Sequence, residues 1–373
     1  MESDEKMPNM QKILSYGVKH GASDVHFTVG SPPAIRVDGE IHFVGENTLK
    51  PEDTEQFVGE ILTEKQLERF NATGDYDVAL SLPGLGRFRV NCLRQRGSVG
   101  IIMRHVKAKI YDFESLHLPV APMEKITKMA RGLVLITGTT GSGKSTTLAS
   151  LIDKINQTKR CHIVTLEDPI EYIHTNKKSI ITQREVSIDT KDFSVALRAV
   201  MREDPDVILI GEMRDAETFQ AAISAAETGH LVFSTLHTTN AMLTIDRIMD
   251  LFPPDQHHQI RSQLALQLRA TVAMRLIPTL DGEGRVPAIE AMFTTPGIAN
   301  LIRENNIKQI GTAIAAGRED HMQTFNQSLV DLVKSRLISQ EEAEWWSDNP
   351  DELKMNLQGI YLSSTSRGGI LKR

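Results

Sequence analysis

The sequence predicts an α/β protein in which a small α+β domain precedes a larger core built on a mainly parallel sheet. Three observations predict it. The stretch TGTTGSGKSTT, Thr137 to Thr147, places Gly138, Gly143, Lys144 and Ser145 at the spacing of a phosphate-binding loop. Apolar runs and helical patterns alternate from Gly132 to Thr235, the order of βαβ units. Before residue 107, short strand-like runs mix with amphipathic helices around an Asp38-Gly39 turn.

Met10 to His20 has helical spacing, with Ile13, Leu14 and Val18 on one side and Gly21 as its stop. Asp24 to Phe27, Ala34 to Val37 and Ile41 to Val44 read as strands, the last two joined as a hairpin. Pro51 to Phe70 reads as one or two amphipathic helices. Tyr76 to Leu82, Arg87 to Arg94 and Gly100 to Val106 are three further strands, the first two joined by a Pro-Gly turn. This organisation gives a domain over 1–107 and a linker over 108–122, marked by Pro119 and Pro122.

The core domain spans 123–280, opening on a short helix over Met123 to Ala130. Gly132 to Ile136 is a buried strand, and Thr146 to Ile155 is the helix after the loop. Cys161 to Leu166, Asp206 to Ile210 and Leu231 to Thr235 are strands; Phe193 to Arg202 and Ala216 to Thr228 are helices. Past Phe252-Pro253-Pro254 the pattern turns mostly helical, interrupted by the Asp281 to Gly284 turn, so that 281–373 is a helical region.

A chain of 373 residues exceeds one ordinary core. A formal net charge of −6 argues against a surface dedicated to nucleic acid or anionic lipid. Cys92 and Cys161 are the only cysteines, which leaves no disulfide framework and no four-cysteine zinc site. No run approaches the ~20 apolar residues of a membrane span, and the acidic start MESDEKMPNM does not read as a signal peptide. The expectation is a cytoplasmic protein without direct membrane insertion.

In the loop, Gly138, Thr139, Thr140, Gly141, Ser142 and Gly143 let successive N–H groups turn around an anion. Lys144 reaches the terminal phosphates, Ser145 can ligate magnesium, and Thr146 continues the first helical turn. Glu212 ends the strand from Asp206 to Ile210 and can orient metal or water; Gly211 stands where many such strands carry an Asp. The missing carboxylate is expected from Glu167, Asp168 and Glu171, an acidic turn after another strand. Acidic turns are usually solvated, so this assignment depends on the neighbouring motifs. His230 and His237 bracket the strand LVFST; a lone histidine is more often structural, and two of them strengthen a role at the γ-phosphate.

GTTGSGKS, TLEDPIEY, DPDVILIGEMRD and TGHLVFSTLHTT closely resemble the Walker A motif, Asp box, atypical Walker B motif and His box of the secretion ATPase superfamily. GASDVHF and TQREV resemble its type IV pilus retraction ATPases, the PilT/PilU family. MREDPD and GEMRD favour the PilT branch, whereas LALQLRATVAMRLIPTLDGEGR and MQTFNQSLVDL lean towards PilU. Residues 297–304, GIANLIRE, are similar to the family's AIRNLIRE, with Gly297 and Ala299 substituted.

The resemblance implies a PAS-like N-terminal domain, a RecA-like P-loop ATPase core and a helical C-terminal region. It implies that Arg89 in GRFRVNC and Arg104 in GIIMRHV reach the γ-phosphate; read alone, each is an exposed cation on a strand. The expected cofactors are ATP and Mg2+, the latter held by Ser145, Glu212 and Glu167. The expected assembly is a homo-hexameric motor at the cytoplasmic face of the inner membrane. It would act on the inner-membrane pilus platform protein, with a paralogous pilus ATPase as a further partner, and residues 297–304 would couple motor to partner. Rival readings are the pilus-extension or type II secretion ATPase, an accessory PilU-like ATPase, a RecA-like nucleic-acid translocase, and a switch that binds nucleotide without turnover.

Overall fold

The computed structural model describes residues 9–359, and its contacts divide the chain into two units after Ala108. The acidic start and the end of the expected helical region therefore lie partly outside the described residues.

The first unit opens with α1 (Met10–Lys19), whose first turn is capped by the Asn9 side chain accepting from the Lys12 N–H. The strands β1 (Asp24–Thr28), β2 (Ala34–Val37) and β3 (Glu40–Phe43) follow. Asp38 and Gly39 between the last two have φ of 49° and 89°, the two left-handed residues that a twisted hairpin turn requires. Two helices, α2 (Pro51–Ile61) and α3 (Glu64–Thr73), occupy the stretch read as one or two. Then come β4 (Asp75–Leu82), β5 (Gly86–Gln95) and β6 (Ser98–His105). All six strands form one antiparallel sheet in the order β3-β2-β1-β6-β5-β4. Period-2 alternation decides its faces: Phe88, Val90 and Cys92 are buried, while Arg87, Arg89 and Asn91 lie on the other face. Phe27 meets Phe57 edge-on at 5.2 Å in this core. Burial pushes the Cys92 thiol up to about 12, so it behaves as a small apolar side chain.

The second unit alternates α4 (Val120–Thr127), β7 (Gly132–Thr137), α5 (Lys144–Thr158), β8 (His162–Glu167), β9 (Ile180–Glu185), α6 (Phe193–Val200), β10 (Val207–Ile210), α7 (Ala216–Glu227) and β11 (Leu231–Leu236). It continues through α8 (Ala241–Met249), α9 (His257–Gln267), β12 (Leu268–Pro278) and β13 (Arg285–Phe293). Among the described residues five α-helices close it: α10 (Pro296–Arg303), α11 (Ile310–Ala316), α12 (Phe325–Lys334), α13 (Gln340–Trp346) and α14 (Pro350–Leu357). Its seven strands run β13-β12-β7-β11-β10-β8-β9, parallel except for β13 against β12. A PAS-like unit thus precedes a RecA-like core.

Three expectations need correction. The stretch 108–122 is not a free linker: Phe113 and Leu118 are buried in the core of the second unit and α4 begins at Val120. Helices dominate beyond Thr295, but between Leu268 and Phe293 the chain makes two long strands where the pattern read as helix. A nearly continuous apolar run such as LRATVAMRLIP fits a buried helix and a buried strand equally, and pairing with β7 selects the strand. The third strand missed is β9, whose IITQRE is only partly buried at the sheet edge.

Candidate active site

Strand β7 is buried along its whole length, which fixes where the phosphate loop starts. At Gly138, φ is 147°, and a Cβ there would stand 2.4 Å from Ser142 Oγ and 2.6 Å from the Met274 carbonyl oxygen. Only glycine lets the loop pass. Gly143, with φ of 98°, is the N-cap of α5, so the chain turns left-handed just before the free N–H groups of that helix. The Lys144 ammonium donates to the carbonyls of Gly138 at 2.8 Å and Thr139 at 2.9 Å, spanning its own loop. Burial lowers its pKa, and the charge of Glu212 opposes that shift. Ser142 Oγ is buried and has no hydrogen-bond partner among the described residues, an unspent polar group inside the loop. Thr139, Thr140, Gly141 and Ser145 are exposed, and the Thr146 hydroxyl meets the Tyr172 hydroxyl at 2.9 Å.

Because β7, β11, β10 and β8 are consecutive parallel neighbours, their C-terminal ends lie along one edge. His237 follows β11, Glu212 stands just past β10, and Glu167 ends β8. The Glu212 carboxylate is held from both sides: His237 Nε2 lies 3.3 Å from Oε1, and Arg214 reaches Oε2 at 2.8 Å. Hydrogen bonding to Glu212 raises the Arg214 pKa further. At Gly211 a Cβ would lie 3.4 Å from Glu167 Cα and from the Leu166 carbonyl oxygen, so β10 and β8 sit closely where a larger residue is otherwise common.

Glu167 Oε1 accepts the Thr165 hydroxyl at 2.7 Å and the Gln183 amide at 3.2 Å. Among the described residues its Oε2 takes only the Glu171 N–H, at 3.4 Å. Burial raises the Glu167 pKa against these bonds. The side chains of Asp168 and Glu171 are exposed on the same turn.

His230 departs from expectation. It precedes β11 and so lies at the opposite edge of the sheet, roughly 20 Å of strand from the phosphate loop at ~3.3 Å per residue. Its Nδ1 is 2.8 Å from the Ala225 carbonyl oxygen at the end of α7, a bond that fixes the ring at that edge. Arg89 and Arg104 belong to the first unit, where they are direct cross-strand neighbours on an exposed face. Arg104 pairs with Asp24 at 2.8 Å; Arg89 has no ion pair among the described residues. Residues 297–304 form α10 and its cap: Ile298 and Ile302 face the core, while Arg303 and Glu304 are exposed. Sequence reasoning missed Arg214 and Tyr172, which were legible only as members of GEMRD and TLEDPIEY.

A parallel sheet carrying a phosphate loop, a strand-end glutamate with its histidine and an acidic turn on one edge defines a P-loop ATPase. The chain belongs to the type II/IV secretion system protein family, whose profile matches residues 2–358. It is 45% identical over 335 residues to the type IV pilus retraction ATPase PilT of Pseudomonas aeruginosa, covering 90% of this chain and 97% of that one. Against the type IV pilus ATPase PilU of the same organism, identity is 40% over 364 residues, 96% of this chain and 95% of that one. The crystal structure of the pilus retraction motor PilT with bound ADP superposes with a TM-score of 0.86 at 46% identity, covering 93% of this chain and 99% of that one.

Proposed function

We propose that this chain is the hexameric ATP-hydrolysing motor of type IV pilus retraction, converting ATP and water to ADP and phosphate as it removes pilin subunits. The observation that carries the reading is the single sheet edge on which Lys144, His237, Glu212 and Glu167 follow consecutive strands. The retraction assignment draws on the likeness to PilT over nearly the whole chain.

ATP binds with its phosphates in the loop Gly138, Thr139, Thr140, Gly141, Ser142, Gly143 and Lys144, with Ser145 and Thr146 opening α5. The donors fit magnesium: Ser145, Glu212 and Glu167 offer only hard oxygen atoms, and Glu167 Oε2 keeps spare lone pairs. When bound, magnesium neutralises charge on the phosphates. Glu212, steadied by His237 and Arg214, orients the attacking water, and Asp168 and Glu171 add negative charge beside Glu167. Arg89 and Arg104 supply guanidinium groups to the γ-phosphate in the working motor. The motor works at the cytoplasmic face of the inner membrane, on the pilus platform protein and alongside a paralogous pilus ATPase. It does not bind nucleic acid.

Deletion of the gene, with surface pili counted and twitching scored, tests the direction. Hyperpiliated, non-twitching cells are expected; bald cells would make it an extension ATPase instead.

A further inference from the structure

Gln183 in β9 lies in TQREV, a motif that the mechanism above leaves without a task. Its carboxamide commits every bond to the acidic turn after β8. The oxygen accepts the His174 N–H at 2.8 Å, and the nitrogen donates to the Tyr172 carbonyl at 2.9 Å and to Glu167 Oε1 at 3.2 Å. A primary amide has two N–H donors and one carbonyl, so two donor bonds and one acceptor bond use its N–H groups fully. In the parallel register Thr165 lies opposite Gln183, and its hydroxyl donates to the same Glu167 oxygen at 2.7 Å. Two adjacent strands therefore aim donors at Oε1, while among the described residues Oε2 receives only the 3.4 Å contact from the Glu171 N–H. One oxygen is saturated and the other is left able to act.

We infer that Gln183 is a positioning residue for Glu167, turning the carboxylate so that Oε2 is the oxygen presented to a magnesium ion or a water. The same amide staples the turn to β9, and Tyr172 passes that restraint to Thr146, in the first turn of α5, at 2.9 Å. The inference rests on the ATPase reading and on Glu167 acting within it.

The test uses Gln183→Leu and Gln183→Glu in the full chain, each also combined with Glu167→Gln. Leucine removes all three bonds at similar size. Glutamate retains an oxygen for the His174 N–H, has no donor for Glu167 or the Tyr172 carbonyl, and sets a like charge beside Glu167, so it keeps one bond of the staple while the aiming bond is lost. Steady-state hydrolysis of MgATP is measured, with melting temperature reporting the fold. Both single variants should lose about tenfold in kcat with KM for ATP within about twofold, the scale of a lost hydrogen bond to a charged group. In the Glu167→Gln background neither should lose more, because residues acting through one another are not additive. A full loss on top of Glu167→Gln, or a normal kcat for Gln183→Glu, overturns the positioning role alone. Wild-type turnover by Glu167→Gln would instead remove Glu167 from the mechanism, a failure of the site reading that the single Gln183 variants could not produce.

Discussion

In the proposed reaction Lys144 and Glu212 have different duties. The ammonium lies across the loop on the Gly138 and Thr139 carbonyls, already where phosphate oxygens would replace them. Lys144→Ala should therefore weaken nucleotide binding and hydrolysis together. Glu212 is held by His237 and Arg214 at the strand end, a restraint on direction that a water needs more than a phosphate does. Glu212→Gln keeps the shape and should bind ATP normally while kcat falls by a factor of ~10² or more, the range of lost general-base catalysis. Fluorescent-nucleotide titration beside phosphate-release rates separates the two; wild-type turnover by Glu212→Gln ends its assignment. The loop glycines were legible in the sequence because their requirement is backbone geometry at fixed spacing. Arg214 was not, because a cation two residues past a glutamate is commonplace until the chain turns it back onto that carboxylate. His230 misled for a related reason: adjacency in sequence to a strand does not say which end of that strand bears the chemistry.

At the scale of elements, β12 and β13 show where periodicity loses its power. Both are buried on their two faces, so they lack the alternation that made β5 readable, and the choice between strand and helix falls to their pairing. The hairpin has a consequence at Glu290, which lies in β13 opposite Ala273, itself opposite Thr137 of β7. Its Oε1 accepts the Ala241 N–H at 2.8 Å, tying β13 to the first residue of α8. Burial pushes the carboxyl up to about 7 despite that bond, with Asp348 raising it and Arg275 lowering it. A carboxyl that titrates higher in the folded chain binds its proton more tightly there. The stability it contributes is present in full below the ordinary value of 4.5 and is lost as pH rises through about 7. Glu290→Gln retains an oxygen for Ala241 and removes the buried charge. Its melting temperature should exceed that of the wild type at pH 8, and the two should converge as pH falls towards 5. An equal gap at both ends would exclude ionisation as the cause.

The whole molecule joins two units of different construction, and the first carries a charge arrangement that its own fold does not need. Across its sheet, Arg36, Asp24, Arg104 and Arg89 occupy one continuous row over β2, β1, β6 and β5. Like charges set directly opposite destabilise a sheet by an amount of order 0.2–1 kcal/mol, and Asp24 compensates Arg104 only. A pair kept at such a cost suits an anion richer in charge than one carboxylate. The proposed anion is the γ-phosphate as it leaves ADP, where spreading charge makes a guanidinium most effective. Arg89→Ala and Arg104→Ala should each leave ATP affinity within several-fold and lower single-turnover hydrolysis by a factor of ~10³ or more, the scale of a lost arginine finger. Lysine at either position should restore little, because a point charge cannot reproduce the planar fork. Relief of the cross-strand repulsion gives the opposing sign for stability at Arg89, so Arg89→Ala should melt no lower than the wild type, whereas Arg104→Ala also strips the buried Asp24 of its cation and should melt lower. Light scattering must find hexamers in every sample, since a dissociated ring would lose turnover for another reason. Near-normal rates in intact rings would reduce both arginines to surface cations on a β-sheet.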